Sequence, residues 1–293
     1  MGPTERILVI GAGGRLGAAL CRQYSPDLLV TGLNRTELDL TQLEQVRAAI
    51  WQLEFDLLIN CAALTNVDYC ESHAEEALRV NAEAPQLMAE ICQAKNRQLV
   101  HISTDYVFDG EKREPYTEED NARPISIYGQ SKLRGEQRVL EANDQALVIR
   151  VSWVFGPDRA SFVDKMIQRA RENADIAAVA DKFSTPSYTI DIARWLEHAW
   201  ESGATGLLHL ANGGACSWQE YAQYAIECCQ QEGVQVKGRR VAAQALEEMK
   251  NFVARRPVHT VLSTEKFARL SGVTPRNWRE AVAEYVRDYV ARK

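Results

Sequence analysis

RILVIGAGGRLG, residues 6–17, decides the fold of this chain from a position close to the N-terminus. Residues 6–10 form a mostly apolar run that predicts a buried strand, and residues 18–24 continue as a helical pattern. Glycines between a strand and a helix allow a tight turn and a close approach to a ligand, and the helix N-terminus favours phosphate groups. The stretch therefore predicts a dinucleotide-binding unit, although Gly11, Gly14 and Gly17 depart from the strict G-x-G-x-x-G spacing because Leu16 takes the place of the last glycine.

Strand and helix patterns alternate through the first half of the chain. Strands are predicted at residues 28–31, 56–60, 99–102 and 146–151, and helices at residues 41–53, 74–94 and 127–141. The first of these helices opens on Thr41-Gln42-Leu43-Glu44, which matches a capping box. Strands that are continuously apolar are typical of a parallel sheet covered on both faces. We therefore expect a doubly wound sheet whose carboxyl ends bring Gly11, Ala63, Thr104 and Trp153 into one crevice.

The second half of the chain alternates less regularly. Helices are predicted at residues 161–172, 191–200, 218–231 and 278–291, and a strand at residues 207–210. A length of 293 residues is compatible with two domains. The predicted fold class is α/β, with a doubly wound, mostly parallel Rossmann sheet and a smaller C-terminal substrate-binding domain. Residues 1–154 are expected to bind NAD(P), and residues 155–293 mainly the substrate, with some segments returning to the sheet.

Composition excludes several classes of protein. A net charge of −6 and an isoelectric point near 5.5 argue against nucleic acid or an anionic membrane as a partner. Apolar runs are too short to span a membrane, and the N-terminal pattern is a strand rather than a signal peptide. Seven cysteines show no metal-binding spacing, which is typical of reduced thiols and predicts a cytoplasmic location.

A candidate catalytic set follows the fourth predicted strand. Thr104 lies in the string at residues 103–110, which comes directly after the apolar residues 99–102, and Lys132 follows Tyr128 by four positions in a helical pattern. Residues spaced i, i+4 share one helix face, so the phenol and the ammonium can point into the same cleft. A neighbouring cation is expected to lower the pKa of the Tyr128 phenol, which is about 10 in a free side chain. The alternative is that Tyr128 and Lys132 are an ordinary pair on a helix surface.

These features, together with motifs along most of the chain, resemble the extended short-chain dehydrogenase/reductase superfamily. The motifs are NCAALTNVD (60–68), VNAEAP (80–85), STDYVFDG (103–110), IRVSWVFG (149–156), FVDKM (162–166), TPSYT (185–189), HLANG (209–213) and RP (256–257). Within the superfamily, they are most similar to the dTDP-4-dehydrorhamnose reductase family, and the string at residues 103–110 is the most specific. The chain departs from the usual family pattern at Cys61, at Leu64 and across residues 68–71.

The resemblance implies roles for individual residues. Catalysis would rest on Thr104, Tyr128 and Lys132. Residues implied in binding the cofactor are Gly11, Gly13, Gly14, Arg15, Leu16, Gly17, Asn34, Arg35, Asp39, Leu40, Cys61, Ala62, Ala63, Tyr128 and Lys132. Residues implied in binding the sugar nucleotide are Thr65, Val67, Thr104, Asp105, Tyr106, Trp153 and Arg256, the last as a clamp on the diphosphate. Trp153 could instead be a core aromatic and Arg256 a surface arginine, and His101 is expected to be a hydrogen-bonded strand histidine rather than a catalytic base.

The choice of cofactor depends on the end of the second strand. The ribose 2′-hydroxyl of NAD is usually bound by an acid there, whereas this chain carries Thr31-Gly32-Leu33-Asn34-Arg35 and its first acid is Glu37. Arg15 and Arg35 could both reach a 2′-phosphate. NADPH is therefore the expected cofactor, with NADH as a possible substitute, and Asp39 and Leu40 are expected beside adenine.

The expected reaction is NADPH-dependent reduction of the C4 ketone of a dTDP-4-dehydro-6-deoxy sugar, dTDP-4-dehydrorhamnose to dTDP-L-rhamnose, with Tyr128 as proton donor. Two alternatives stay open: a reductase of another nucleotide sugar, and a non-catalytic NADP-binding regulatory subunit like that of methionine adenosyltransferase. Some relatives bind magnesium through glutamates between subunits. Because Arg15 follows the glycine turn here, no metal ligand is assigned, and a magnesium requirement and a homodimer are left open.

Overall fold

The computed structural model describes residues 6–292. Its strands are β1 (Arg6–Ile10), β2 (Leu29–Leu33), β3 (Leu57–Asn60), β4 (Gln98–Thr104), β5 (Leu147–Val151), β6 (Val154–Phe155), β7 (Ile176–Val179), β8 (Phe183–Ser184), β9 (Ser187–Tyr188), β10 (Gly206–His209), β11 (Cys216–Ser217) and β12 (Val241–Gln244). Its α-helices are α1 (Arg15–Tyr24), α2 (Leu43–Gln52), α3 (Val67–Ser72), α4 (Ala74–Leu78), α5 (Ala84–Lys95), α6 (Ile127–Ala142), α7 (Phe162–Glu172), α8 (Thr189–Glu201), α9 (Trp218–Gln231), α10 (Glu265–Ser271) and α11 (Trp278–Tyr285). Tighter or wider helical turns lie at Arg79–Glu83, Asp105–Val107, Leu246–Glu248 and Val286–Val290.

Six strands form the central sheet in the order β10-β5-β4-β3-β1-β2. Every neighbouring pair in it is parallel. The chain moves outward from β1 to β2 and then crosses back to β3 on the other side of β1. In a doubly wound sheet, a ligand binds outside the carboxyl ends of the strands at such a reversal. The predicted fold class is confirmed, because the parallel sheet and its strand order are those of a Rossmann-like fold.

Helices cover both faces of this sheet, which explains why its strands are apolar without alternation. Along β1, Ile7 and Val9 pack with residues of α1 and α8, whereas Leu8 and Ile10 pack with residues of α2 and α5. Successive side chains of a strand point to opposite faces, so a strand covered twice needs an apolar residue at every position. The sheet is thus the buried centre of the molecule and a rigid base for the loops at its carboxyl edge.

The second half of the chain contributes to this sheet and also builds a smaller unit beside it. Strand β10 pairs with β5 at the edge of the sheet, and α8 packs against α1. The remaining elements form the two-stranded pairs β6-β9, β8-β11 and β7-β12. Helices α7, α9 and α11 enclose a core rich in aromatic side chains. Some segments after residue 154 therefore return to the sheet, while the division into two functional domains stays a prediction.

Several local expectations were wrong. Thr41 does not cap α2, since its N–H and its hydroxyl both donate to the Asp39 carboxylate, at 3.0 and 2.9 Å, and the helix begins at Leu43. The predicted helix over residues 74–94 is divided by the wide turn at Arg79–Glu83, and the last helix changes in the same way after Tyr285. Strands β7 and β12 and helices α3 and α10 were not predicted. Each is seven residues or shorter, so each shows too few turns or alternations to produce a pattern.

Helices of membrane-crossing length and apolarity are absent from residues 6–292. All seven cysteines lie in this range and carry free thiols.

Candidate active site

A cavity of about 840 Å³ opens at the carboxyl ends of the central strands. Twenty of the sequence-predicted site residues line it: Gly11, Gly13, Gly14, Arg15, Leu16, Asn34, Arg35, Asp39, Leu40, Cys61, Ala62, Ala63, Thr65, Val67, Thr104, Asp105, Tyr106, Tyr128, Lys132 and Trp153. Two predicted residues, Gly17 and Arg256, do not line it. The crevice predicted from Gly11, Ala63, Thr104 and Trp153 is therefore present, and its size suits a cofactor together with part of a substrate.

The glycine turn at one end of the cavity has the geometry of an anion cradle. Gly11 has a positive φ of 84°, and a Cβ atom there would lie 2.7 Å from the backbone nitrogen of Ala62, so only glycine fits. Helix α1 begins after Gly14, which has no capping side chain, and its first turn has no acidic residue. First-turn N–H groups without a capping side chain, at the positive end of the helix dipole, favour a phosphate. These residues fit the pyrophosphate of a dinucleotide.

The loop after β2 forms the next part of the cavity wall. Glu37, the first acid of this region, accepts a hydrogen bond of 2.9 Å from the backbone N–H of Asn34, and the Asn34 side chain in turn accepts from Thr36. Arg35 has a side chain that is 76% exposed, and Glu76 lies 3.9 Å from its guanidinium. The loop thus holds its carboxylate in a turn and presents a cation to solvent beside the cavity.

Arg15 takes a different position from Arg35. Its guanidinium donates to the backbone carbonyls of Arg159 and Ala160, at 3.1 and 2.6 Å, and Arg159 donates back to the carbonyl of Gly13 at 3.1 Å. Both Arg159 and Ala160 line the cavity. Arg15 therefore joins the glycine turn to the segment before α7, and Arg35 is the arginine that the structure leaves exposed at the second strand.

Lys132 lies at the bottom of the cavity and is almost fully buried. Its ammonium nitrogen lies 2.7 Å from the carbonyl oxygen of Ile102 and 3.3 Å from His101 Nε2. Burial lowers the pKa of Lys132 to about 8, although the carboxylate of Glu136, one turn further along α6, acts in the opposite direction. Glu136 forms a buried ion pair of 2.6 Å with Arg150, which fixes its position beneath the lysine.

Tyr128 and Thr104 face the same region from α6 and β4. The hydroxyl of Ser126 accepts a 3.2 Å hydrogen bond from the N–H of Gly129 and so fixes where α6 begins. Burial raises the pKa of Tyr128 well above its usual value, and a hydrogen bond with Thr104 opposes this only in part. The expectation that Lys132 would lower this pKa was wrong for the protein alone, because burial dominates and the nearby charge of Asp105 raises the pKa further.

Asp105 connects the site to the second half of the chain. Its buried carboxylate accepts hydrogen bonds from Thr104 at 3.1 Å, from Ser184 at 3.2 Å and from Thr260 at 2.6 Å. Burial raises the pKa of Asp105, while the charge of Lys182 and these three hydroxyls act against the rise. The carboxylate thus orients the Thr104 hydroxyl from behind, whereas the sequence pattern had suggested only contact with substrate.

Tyr106 and Trp153 form an aromatic wall of the cavity, and the buried Lys182 lies beside them. Trp153 has a positive φ of 38°, which is rare for a bulky residue, and its buried indole N–H has no hydrogen-bond partner among the described residues. Lys182 is fully buried, with its nitrogen 5.1 Å from the ring centre of Tyr106 and 5.9 Å from that of Trp153. Trp153 lines the cavity, and a strained backbone beside a cleft is a feature found at ligand-binding sites. Trp153 is therefore placed at the cleft rather than only in the core.

Arg256 does not line the cavity. Its two terminal nitrogens donate to the two carboxylate oxygens of Asp68, and the side chain of Arg256 is 7% exposed. The paired guanidinium lowers the pKa of Asp68 to about 2. A bidentate ion pair of this kind occupies the atoms that would clamp a diphosphate, so the structure does not bring Arg256 to the site.

Sequence reasoning missed several residues at or beneath the site. They are Asn60, Glu136, Arg159, Ala160 and Lys182. Glu136 could have been found from its i, i+4 spacing to Lys132. Lys182 and the segment around Arg159 lie in irregular chain, and no spacing relates them to the predicted motifs. Within residues 6–292, no group of three or more His, Cys, Asp or Glu side chains is placed to hold a metal ion.

A parallel sheet, a glycine turn at its reversal point and a Thr–Tyr–Lys set in one cleft together define a short-chain dehydrogenase/reductase of the extended class. The family model described as "RmlD substrate binding domain" matches residues 5–291. The chain belongs to this family, that of the dTDP-4-dehydrorhamnose reductases, and the resemblance read from its motifs is confirmed.

Individual relatives match over nearly their whole length. The chain is 35% identical to the dTDP-4-dehydrorhamnose reductase of Sinorhizobium fredii, over 96% of each chain. It is 37% identical to a probable dTDP-4,6-dihydroxy-2-methyloxan-3-one 4-ketoreductase of Streptomyces antibioticus, over 98% of this chain and 96% of the relative. A solved structure of dTDP-4-dehydrorhamnose reductase from Bacillus anthracis in complex with NADP superposes with a TM-score of 0.90 at 32% identity, over 97% of this chain and 99% of that one.

Proposed function

We propose that the protein reduces the C4 ketone of a dTDP-4-dehydro-6-deoxy sugar with NADPH, converting dTDP-4-dehydrorhamnose to dTDP-L-rhamnose. The observation that carries the proposal is one cavity lined by the glycine turn, by Thr104, Tyr128 and Lys132, and by the aromatic wall. Relatives that are 35% and 37% identical are named as reductases of dTDP-linked keto sugars, which supports the same reaction class.

In this mechanism, the protein delivers a proton and stabilises the oxygen that becomes negative. The chemistry supplied by bound NADPH is donation of a hydride to the ketone carbon. Burial keeps the Tyr128 phenol protonated at neutral pH, so that Tyr128 can give its proton to the forming alkoxide. In the free protein, the single hydroxyl hydrogen of Thr104 is donated to Asp105. When substrate binds, the hydroxyl would turn and donate this hydrogen to the forming alkoxide instead. Burial in the cleft strengthens both interactions because little water competes there.

The proposed preference for NADPH over NADH rests on Arg35. The first acid after the second strand, Glu37, accepts a hydrogen bond from the backbone of Asn34, so it is not placed to bind a ribose 2′-hydroxyl. The exposed guanidinium of Arg35 stands beside the cavity and suits a 2′-phosphate. The NADP complex of the Bacillus anthracis relative supports a phosphorylated cofactor for this chain as well.

The sugar nucleotide is proposed to lie between Thr65, Val67, Tyr106 and Trp153. Trp153 lines the cavity from a strained backbone position, which supports a place for its ring beside the sugar nucleotide. Leu64, one of the departures from the family pattern, lines the same cavity. A reductase of another dTDP-linked keto sugar therefore remains the second candidate, and the Streptomyces antibioticus relative supports it.

The two halves of the chain are proposed to bind different ligands. Residues 1–154 contribute the glycine turn and the catalytic set, so they would bind NADPH, while residues 155–293 would contribute mainly to the substrate side. Seven free thiols suit a reducing compartment, and a cytoplasmic location is proposed on that basis.

The first test is replacement of the proposed proton donor. Tyr128→Phe keeps the ring and removes the hydroxyl, so we expect reduction of dTDP-4-dehydrorhamnose to slow by about 10²- to 10⁴-fold. NADPH oxidation is followed spectrophotometrically, and NADPH binding is measured separately by titration. Binding should stay within about twofold of the wild type because the phosphate cradle is untouched.

Tyr224→Phe on α9 is the matched control, since its ring packs on Trp278 in the second-half core and Tyr224 does not line the cavity. This variant should turn over like the wild type. Near-normal turnover by Tyr128→Phe would refute the mechanism. If wild-type protein oxidised NADPH only with another dTDP-linked keto sugar, the second candidate would replace the first.

A further inference from the structure

A chain of hydrogen bonds runs from the backbone to the nitrogen of Lys132. The N–H of Ala62 donates to Asn60 Oδ1 at 3.0 Å, and the amide nitrogen of Asn60 lies 3.1 Å from His101 Nδ1. On the other side of the imidazole, His101 Nε2 lies 3.3 Å from Lys132 Nζ. Asn60 and His101 are both fully buried, so no bulk water competes for these contacts.

The backbone N–H of Ala62 fixes the direction of donation along this hydrogen-bond chain. A backbone N–H can only donate, so Asn60 must turn its carbonyl oxygen toward Ala62 and its NH₂ group toward His101. The Asn60 amide therefore donates to His101 Nδ1, which must carry a lone pair. A histidine with a lone pair on Nδ1 and no net charge has its hydrogen on Nε2. That hydrogen points at Lys132.

The contact between His101 and Lys132 restricts the protonation state of the lysine. An ammonium group has three N–H donors and no acceptor, so it cannot receive the Nε2–H of His101. A neutral amine has one lone pair that can receive it. The same amine still donates to the carbonyl of Ile102, 2.7 Å away. Every donor along the chain has an acceptor only when Lys132 is the neutral amine.

We propose that Asn60 and His101 are positioning residues that hold His101 as the Nε2–H tautomer and thereby stabilise the neutral amine of Lys132. Of these three residues, only Lys132 lines the cavity, so Asn60 and His101 act through the lysine. Sequence reasoning had assigned His101 only a structural place in the strand.

The groups around Lys132 agree with this assignment. On its own helix, Glu136 would favour the ammonium, but Glu136 is paired with Arg150 through contacts of 2.6 and 2.9 Å. From the end of β3 comes Cys61, whose thiol has a pKa raised by burial and is therefore uncharged at neutral pH. From β4 comes His101, whose pKa burial and the lysine hold well below its usual value. Burial lowers the pKa of Lys132 to about 8, which is consistent with a lysine that loses its proton easily.

The consequence for turnover rests on the proposed function. When Tyr128 gives its proton to the substrate oxygen, a phenolate remains and needs a proton. Near pH 7, Lys132 with its pKa of about 8 still carries a proton most of the time, and the contact with His101 favours release of that proton, because the neutral amine left behind is the form that His101 binds. The chain would make Lys132 a proton reserve that is matched to neutral pH.

The test is to observe the histidine tautomer directly. Protein labelled with ¹⁵N-histidine contains five rings, and the signals of His101 are those lost in His101→Phe. Long-range ¹H–¹⁵N spectra distinguish a protonated Nε2 from a protonated Nδ1. We expect His101 to be the Nε2–H tautomer in wild-type protein without ligand at pH 8.5, which is above the pKa of about 8 of Lys132. An Nδ1–H tautomer would overturn the proposal.

Asn60→Asp reverses the chain with almost no change in shape. A carboxylate still accepts from Ala62, but it must also accept from His101 Nδ1, so the tautomer should switch and Nε2 should accept from the ammonium. The upper pH limit for NADPH oxidation with substrate should then move upward by about 1 to 3 units. Asn277→Asp adds the same charge at the N-cap of α11, where its oxygen accepts from Arg279, and should change neither reading.

These readings separate the inference from the proposed function. The tautomer is measured without turnover. An inactive wild-type protein whose His101 is the Nε2–H tautomer would therefore refute the proposed function and support the proposed hydrogen-bond chain. A wild-type protein that reduces its substrate while His101 is the Nδ1–H tautomer would support the proposed function and refute the proposed hydrogen-bond chain. An unchanged tautomer in folded Asn60→Asp would also refute it.

Discussion

At the scale of a single residue, Arg35 is the side chain that we expect to determine the choice between NADPH and NADH. Its guanidinium is exposed, and its nearest carboxylate is 3.9 Å away, so its charge is available to a ligand. Arg15, which the sequence pattern placed in the same role, is held by two backbone carbonyls. The discrimination between NADPH and NADH is therefore expected to depend on Arg35.

Arg35→Ala should weaken NADPH binding about tenfold and leave NADH binding nearly unchanged. A charge-assisted hydrogen bond contributes about 1.5–3 kcal/mol, and screening at an exposed loop favours the lower value, which corresponds to one decade in Kd. The measurement is a pair of dissociation constants for each cofactor.

Arg47→Ala is the matched control for this experiment. Arg47 is about half exposed on α2 and pairs with Glu90 at 3.2 Å, and it does not line the cavity. Its replacement should leave both dissociation constants as they are. Equal losses for NADPH and NADH in Arg35→Ala would show that the arginine holds the loop instead of the phosphate.

Among the elements, the turn between β1 and α1 is the most constrained. Gly11 combines a positive φ with a close approach to the backbone of Ala62, so a side chain there meets two separate penalties. Gly203, at the end of α8, also has a positive φ of 70° but has open space around its Cα. The two glycines therefore separate backbone strain from steric exclusion.

Gly11→Ala should lower the free energy of unfolding by more than Gly203→Ala does. The loss in Gly203→Ala comes from backbone strain alone, about 1–3 kcal/mol. Urea unfolding followed by circular dichroism measures both. NADPH affinity should fall in Gly11→Ala and stay unchanged in Gly203→Ala, because only the first displaces the phosphate cradle. Equal losses of stability would mean that the neighbouring segment at Ala62 shifts without cost.

Elements with strong periodic or motif signals could be predicted from the sequence. The β1–glycine–α1 unit and the pair Tyr128 and Lys132 on α6 are examples, because each depends on local spacing. The Thr41 capping box failed because Asp39 offers its carboxylate to the same hydroxyl, a competition that spacing does not reveal. Lys182 could not be found because its place behind Tyr106 results from packing between distant segments.

At the scale of the whole molecule, Asp68 connects the two halves. Its carboxylate accepts from the guanidinium of Arg256 and from the backbone N–H groups of Val253 and Ala254, at 2.8 and 2.9 Å. These contacts lower the pKa of Asp68 to about 2. A carboxylate with a depressed pKa stabilises the folded protein above its unfolded pKa of 3.8, and that stability is lost as the pH falls toward 2.

Asp68→Asn should therefore lower the free energy of unfolding by about 1–2 kcal/mol at pH 7, after allowance for partial exposure. The difference from wild type should shrink as the pH falls from about 5 to 2, because wild-type Asp68 then becomes neutral as well. Urea unfolding at several pH values measures this difference. Asp175→Asn, at an exposed position before β7, should show no such loss. A difference that stays constant down to pH 2 would assign the effect to packing rather than to charge.

Strand β10 has a consequence for how the chain can be divided. It comes from the second half, yet it covers the outer side of β5 through a parallel ladder between residues 206–209 and 147–150. A fragment that stops at residue 154 would expose the unpaired N–H and C=O groups of β5, and such a bare edge invites pairing with another chain. We expect residues 1–154 to be insoluble when produced alone and to be rescued by co-expression of residues 155–293. That outcome would show that the two halves depend on each other to fold.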